Sequence, residues 1–429
     1  MNEYKFKPYD IVGKYTTAWV TGDVDAATIA QLYTMVNSPA FDGAKLVIMP
    51  DAHYGAGCVV GTTIQLNGRI SPYSLGVDLS CGVDAYKAIG RGMGLWTPRE
   101  MEAAIRMAVP TGRNTQEIEF YSFGELDSVT AQQRADDCRR LGLNPIGYEE
   151  LAKRVGAKPG RVKKSIGSMG GGNHFCSAGT LTNGDYAFVI HTGSRNLGHR
   201  IATYWQAKAA DYCNGQLKSA KDRIIQSLKQ AHDEGRITGQ EVGAGIVKAK
   251  ADYPAASKGT EYLEGQLMQE YLRDAYMAQA YAELNRATIA SQIASALHID
   301  VEKYVCTTHN TVGRDGIARK GAVQAYVGML VAIPMNRVEG TWICQVTRNS
   351  QEHLWTLPHG AGREGSRKWA KGNTTQEDAD QEMRDAGIES SINPRDEATN
   401  SYKNPDKIYA AIKDRIVVVD VITPFLNIK

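Results

Sequence analysis

The 429-residue sequence predicts an α+β fold: one large domain, residues 1–429, of mixed β-sheets with a helical insertion. Three observations predict it. Apolar runs of strand length lead into or out of most of the glycine-dense motifs. The stretch 196–296 is instead rich in Ala, Gln, Lys and Tyr at helical spacing. A Pro-Gly-Ser linker is missing, and the motifs interleave from residue 49 to the last residue. That interleaving argues against two or three separate domains, which the length alone would allow.

The elements follow in chain order. Lys45–Met49 and Cys58–Ile64 read as short buried strands. Thr97-Pro98 opens a helix over 97–108, because proline is tolerated in a first turn that has no N–H to lose. Tyr186–Ile190 is a strand ending at His191. The helical stretch 196–296 should contain two long helices or more, with a break at Tyr253-Pro254 and a regular segment from Tyr271 to Ile289. Strand signals return at Tyr304–Cys306, Gly321–Ile333 and Thr341–Val346. Residues 370–405 are polar, partly helical and loop-like, and the β-branched run Arg415–Ile422 predicts a late strand.

Composition excludes some classes. The chain is 42% hydrophobic and 22% charged, a globular balance. Its 49 basic against 47 acidic residues neither demand nor exclude a nucleic acid. Local runs say more. Lys153, Arg154, Lys158, Arg161, Lys163 and Lys164 form an acid-free run that reads as a solvated face. Arg363, Arg367, Lys368 and Lys371 follow a His-Gly-Ala-Gly motif directly, which favours phosphate contact. Seven scattered cysteines without a C-x-x-C pair fit a reducing compartment. The first residues, Met-Asn-Glu-Tyr-Lys-Phe-Lys, lack a signal core, and no apolar run approaches a membrane span. A soluble, cytoplasmic protein is expected.

The chemistry lies in the motifs. Asp78 and Cys81 are three apart in a glycine-bounded turn: one ion could be held there, or the pair could be a helix cap and a small buried thiol. His174 ends Gly170-Gly-Gly-Asn-His, which is too flexible for a core strand. His191 ends a strand and is followed by Gly193-Ser-Arg195, a natural phosphate cradle. His309-Asn310 follows another strand. Each histidine alone could be structural; four of them with an Asp-x-x-Cys point to a shared metal site. His359 sits in Pro-His-Gly-Ala-Gly-Arg363, then Ser366-Arg367. Glycines open space around its imidazole and arginines supply planar phosphate donors, as a histidine attacking a nucleotide phosphate requires. Asp51 and His53 lie near the same strand ends, as supporting or structural residues. A phosphate loop of the G-x-x-x-x-G-K-[ST] type, a Lys-x-Asp-Gly nucleophile and an H-E-x-x-H motif are all missing.

In order, Met-Pro-Asp-Ala-His-Tyr-Gly-Ala-Gly (49–57), Gly76 to Gly82, Gly-Asn-His-Phe (172–175), His191 to Gly198, Ala280 to Arg286, His309-Asn310, Arg319 to Ala322, 358–367, Asp396-Glu397, Tyr402-Lys403 and Asn427-Ile-Lys429 resemble the motifs of the RtcB family of RNA ligases. The likeness spans nearly the whole chain. It implies an RtcB-like catalytic domain that joins RNA 3′-phosphate or 2′,3′-cyclic phosphate ends to 5′-hydroxyl ends, with GTP and two Mn²⁺ ions. It implies Cys81, His174 and His191 on one ion, and Asp78, Cys81 and His309 on the other. His359 becomes the GMP-accepting nucleophile. Asn173, Asn336, Gly360, Ala361, Gly362, Tyr402 and Lys429 become nucleotide contacts, and Arg195, Arg363 and Arg367 contacts to RNA or triphosphate oxygens. The partner is then RNA with broken ends, not a membrane; an activating protein is not specified.

The sequence departs from the family at the base. Ser177 stands where the family carries an acid that reads guanine, and Pro334-Met-Asn336 replaces its Pro-Gly-Ser loop. These departures predict weakened guanine selectivity. They also give a rival reading, a divergent protein that binds RNA ends or nucleotide without joining them.

Overall fold

The computed structural model describes residues 6–90, 92–253, 256 and 258–429. The first five residues, where a leader was sought, and Pro254 of the expected helix break lie outside them. The fold is α+β. A six-stranded mixed sheet runs Tyr9–Val12, Thr17–Val20, Lys45–His53, Val60–Gln65, Ile317–Lys320, Thr311–Val312. A seven-stranded antiparallel sheet runs Asp300–Thr308, Gly82–Ile89, Tyr186–Thr192, Phe175–Thr180, Ile416–Ile428, Gly340–Val346, Leu330–Asn336.

The helical stretch comprises Arg195–Asp233, Gly239–Asp252 and Gly265–Leu297. The last is apolar nearly all round and threads the core, burying Tyr271, Tyr281, Ile289 and Leu297. With Trp205 it anchors the largest cluster, where each fully buried large side chain contributes about 2–3 kcal/mol. The first two helices leave the core beyond Cys213 and pack mainly on each other, which their alternating Lys, Gln and Ala allow.

Thr97 caps Pro98–Ala108 in a capping box with Glu100, as the Thr-Pro start predicts. The run Gly321–Ile333 is two strands, Ala322–Gln324 and Leu330–Asn336, because Gly328 at φ 86° turns the chain between them. Among the described residues no helix is long and apolar enough to cross a membrane.

Candidate active site

Strand register gathers the histidines. In the seven-stranded sheet Gly82 pairs with both Thr308 and Thr192, and His191 pairs with both Val83 and Phe175. Cys81 therefore precedes, and His309 follows, adjacent ends of neighbouring strands. His174 lies just before Phe175 at the same edge. Two turns lock together across this edge. The Ser80 N–H donates to Asn310 O (3.0 Å), the His309 N–H to Cys81 O (2.8 Å), and the Asn310 amide to Asp78 O (3.0 Å). Ser80 and Asn310 adopt left-handed φ of 56° each, a strain of about 1–2 kcal/mol per residue that the surrounding bonds sustain. Beneath them Arg286, fully buried, pairs with Asp84 at 2.7 Å and donates to Ser80 O and Thr192 O. Asn285 holds Gly167 and Gly193 from the same helix.

The five ligand-type residues converge. Asp78 Oδ2 lies 2.8 Å from His174 Nε2. Cys81 Sγ lies 3.4 Å from His174 Nε2 and 3.1 Å from His191 Nε2, which is 3.3 Å from His309 Nε2. Two groups share one thiol: Cys81 with His191 and His309, and Cys81 with Asp78 and His174. The resemblance implies Cys81 as the residue common to two ligand sets, and it is the residue common to these two groups. The terminal residues pair differently, His309 with His191 and Asp78 with His174. Burial, then the neighbouring imidazoles, hold His191 and His309 well below the usual histidine range, so their lone pairs are available. Burial, then Asp78, pushes the Cys81 thiol well up. Burial would raise Asp78, but His174 and His191 outweigh it and hold the carboxyl at about 2. Donor atoms converging at 2.8–3.4 Å fit a cationic ligand.

His359 follows the strand Thr356–Pro358, and its ring stands edge-on to His309 at 4.9 Å. Its Nδ1 lies 2.6 Å from Asp51 Oδ2, which also accepts the His359 backbone N–H at 3.1 Å. Asp51 is 0% exposed; the His359 side chain is 17% exposed. The carboxylate fixes the proton on Nδ1 and leaves Nε2 as a lone pair. Asp51 is pinned in turn by Lys403, whose buried ammonium donates to Pro50 O (3.0 Å) and Ala52 O (2.7 Å). Gly362, at φ 75°, cannot carry a side chain: a Cβ there would meet Asp51 O at 2.1 Å.

A cavity of about 370 Å³ opens over these groups, within the range of small-molecule sites. Of the residues singled out in the sequence it is lined by Asp78, Asn173, His191, His309, Asn336, His359, Gly360, Ala361, Gly362, Arg363, Arg367, Tyr402 and Lys429. Cys81 and His174 lie beneath its wall, and Arg195 lies outside the lining.

The arginines after His359 are not free phosphate donors. Arg367 pairs with Asp396 and Glu397 at 2.6 Å each, and Arg363 approaches Glu397 at 3.6 Å. Glu397 also accepts from Lys429 at 3.0 Å and from the Tyr402 hydroxyl. Burial opposes its ionisation, but Lys429, Arg367 and the Tyr402 bond overcome it and hold the carboxyl at about 2. Ser177 and Asn427 face each other across adjacent strands and both line the cavity. Lys320 lines the cavity and donates to Ala56 O (3.0 Å) and Cys58 O (2.6 Å); its task, that of Lys403 and those of the Asn285-Arg286 pair were not revealed by the sequence motifs, which gave Asp51 only as supporting or structural.

Comparison with known proteins follows the same lines. The family described as tRNA-splicing ligase RtcB matches residues 31–429. The RNA-splicing ligase RtcB of Escherichia coli (strain K12) is 27% identical over 423 residues, covering 94% of each chain. The tRNA-splicing ligase RtcB of Pyrobaculum aerophilum is 24% identical, covering 85% of this chain and 83% of its own. That of Thermococcus kodakarensis is 24% identical, covering 86% and 83%. With a family match over nearly its whole length and relatives at about a quarter identity, the chain belongs to the RtcB family as a divergent member.

Proposed function

We propose that the protein is an RNA ligase joining a 3′-phosphate or 2′,3′-cyclic phosphate end to a 5′-hydroxyl end, through a guanylylated His359 and with two Mn²⁺ ions. The observation that carries this reading is His359, held by buried Asp51 with Nε2 free, in a cavity that Asp78, His191 and His309 of the Cys81 cluster also line. His359 Nε2 attacks the α-phosphorus of GTP; the N–P bond forms as the bond to pyrophosphate breaks. Asp51 stabilises the imidazolium that develops, keeping the proton on Nδ1. An oxygen of the RNA 3′-phosphate then attacks that phosphorus and breaks the N–P bond. Finally the 5′-hydroxyl oxygen attacks the 3′-phosphorus; the new P–O bond forms as the bond to the GMP phosphate breaks, and the hydroxyl proton passes to water or the departing GMP phosphate. A cyclic end is first opened by water.

Asp78, Cys81, His174, His191 and His309 would hold the ions, which when bound supply charge neutralisation and alignment of phosphate oxygens. Their mixed nitrogen, sulfur and oxygen set suits Zn²⁺ or Co²⁺ as well; Mn²⁺ is what the family resemblance implies. Asn173, Asn336, Gly360, Ala361, Gly362, Tyr402 and Lys429 would line the nucleotide, and Arg195 would meet a phosphate. Arg363 and Arg367 would do so only while sharing their charge with Glu397 and Asp396. The free state of all seven cysteines fits a reducing compartment such as the cytoplasm.

The test is joining itself. RNA labelled in its 3′-phosphate, mixed with 5′-hydroxyl RNA, GTP and Mn²⁺, should give a longer product whose label resists phosphatase. RNA with the reverse ends, 3′-hydroxyl and 5′-phosphate, should not join. Binding of both RNAs without product would favour the rival reading of a non-joining binder.

Two variants probe the details. Asp51→Asn should keep the metal and slow adduct formation by about a hundredfold or more, because an amide neither fixes the tautomer nor stabilises the cation. An adduct rate within severalfold of wild type would mean that Asp51 only packs. Base selectivity should be weak. An acid accepting from guanine contributes roughly 1.5–3 kcal/mol and a neutral hydroxyl roughly 0.5–1.5. Glu397 does not compensate, since its oxygens already accept from Tyr402, Lys429 and Arg367. Ser177→Glu should therefore raise the preference for GTP over ATP by about tenfold in competing adduct formation. A several-hundredfold GTP preference in the wild type would contradict this account of the pocket.

A further inference from the structure

We infer that a cationic track leads from the Asp78–Cys81–His174 cluster to the surface past Arg195, Arg161 and Arg113, and that it takes the backbone phosphates of the RNA strand being joined. The inference rests on the reading of the cavity as an RNA-joining site and gives the strand its path.

Two loops lie side by side along this path. The Met169 N–H donates to Pro110 O (2.9 Å) and the Gly112 N–H to Gly170 O (2.8 Å). The Arg195 guanidinium crosses between them, donating to Ser168 Oγ (3.2 Å) and Gly112 O (3.3 Å). Arg195 has a left-handed φ of 55°, a conformation that a non-glycine residue pays for in strain. Gly170 makes the passage possible: a Cβ there would lie 1.9 Å from Arg195 Nη1 and 2.6 Å from His174 Nδ1. Further out, Arg161 donates to the backbone of Arg113 at 3.3 Å, and both side chains are exposed. The inner loop ends at Asn173, which lines the cavity.

Charge separates this track from an ordinary solvated face. Within the basic run, Lys153 pairs with Glu149, Arg154 with buried Asp274, and Lys163 with Glu119. Among the described residues Lys158, Arg161 and Lys164 of that run form no ion pair, nor do Arg113 and Arg195. Burial pulls the Arg195 guanidinium below its usual range and Arg161 adds to this, outweighing the opposing pull of Tyr281 and Asp78. The outer charges of Arg113 and Arg161, gathered without an ion-pair partner, repel one another in the empty protein and attract a polyanion. Because the outer arginines address phosphates and not bases, the track is indifferent to RNA sequence.

The test is fluorescence anisotropy with a labelled single-stranded RNA bearing a 3′-phosphate, measured across a salt series. Arg113→Ala/Arg161→Ala should bind at least about tenfold more weakly at low salt, and its log–log salt slope should be shallower by about 1.4, for two lost phosphate contacts. Lys153→Ala/Lys248→Ala also removes two positive charges, both ion-paired and exposed, and should bind like wild type. An unchanged slope in the arginine variant would overturn the track, as would equal losses in both variants. Adduct formation on His359 is measured without RNA. Its absence would remove the ligase reading and leave the track standing; an unchanged slope would do the reverse.

Discussion

Cys81→Ala should strip both proposed ions from the protein, whereas His309→Ala should weaken only one. Cys81 is the residue common to both groups of converging donors, and it is fully buried. Removing a shared thiolate takes a ligand from each ion at once. Once an ion displaces its proton, the sulfur would place an anionic charge between three imidazoles and a carboxylate, so neither ion would retain a balanced set without it. The fold should survive, because the Ser80–Asn310 and Cys81–His309 backbone bonds and the Arg286–Asp84 pair do not involve the sulfur. Cys81→Ser, which keeps the volume and loses the soft donor, should behave the same way. Elemental analysis after dialysis checks this. Both ions retained in Cys81→Ala, with a native circular dichroism spectrum, would remove Cys81 from the bridge.

His359→Ala should form no nucleotidyl adduct, a loss on the order of 10⁶-fold as for deletion of other covalent nucleophiles. It should nevertheless join RNA that already carries a 3′-pp-G end, because that step uses the cluster and not the imidazole. The substitution strips buried Asp51 of one hydrogen bond, a cost of about 1–3 kcal/mol, while the backbone N–H of residue 359 remains. His359→Asn keeps a donor near Asp51 and guards against misfolding as the cause. Failure on activated RNA, with normal metal content, would give His359 a different task.

The sequence carried the sheet and its motifs well where the signals were local. Thr97, Pro98 and Glu100 announce their helix within four residues, and Tyr186–Ile190 reads directly as the strand that presents His191. Short polar helices were not legible. Phe123–Val129, Tyr148–Arg154 and Pro159–Ser165 have seven residues each, two turns, too few for a periodic apolar face. The Ser122–Glu125 capping box and Pro159 in the first turn of its helix were signals there that could have been read. The late strand runs to Ile428, past the Ile422 where its β-branched run ends, with a register shift at Pro424.

Long-range pairing was the larger blind spot. Arg363 and Arg367 look like free phosphate ligands until Asp396 and Glu397, about thirty residues away, fold onto them. Asp51 reads from the sequence as supporting or structural without a partner, and the chain's return at residue 359 supplies that partner. The basic run divides the same way. The sequence shows a uniform patch, whereas folding neutralises Lys153, Arg154 and Lys163 and leaves Arg161 exposed without an acid.

The central claim is that His359 becomes covalently guanylylated. Incubation with Mn²⁺ and GTP labelled at its α-phosphate, followed by peptide mapping, tests it most directly. The account predicts an acid-labile, alkali-stable label confined to the peptide carrying His359, lost in His359→Asn and slowed in Asp51→Asn. A metal-loaded wild-type protein that takes no label from GTP or ATP, or takes it on another residue, would contradict it.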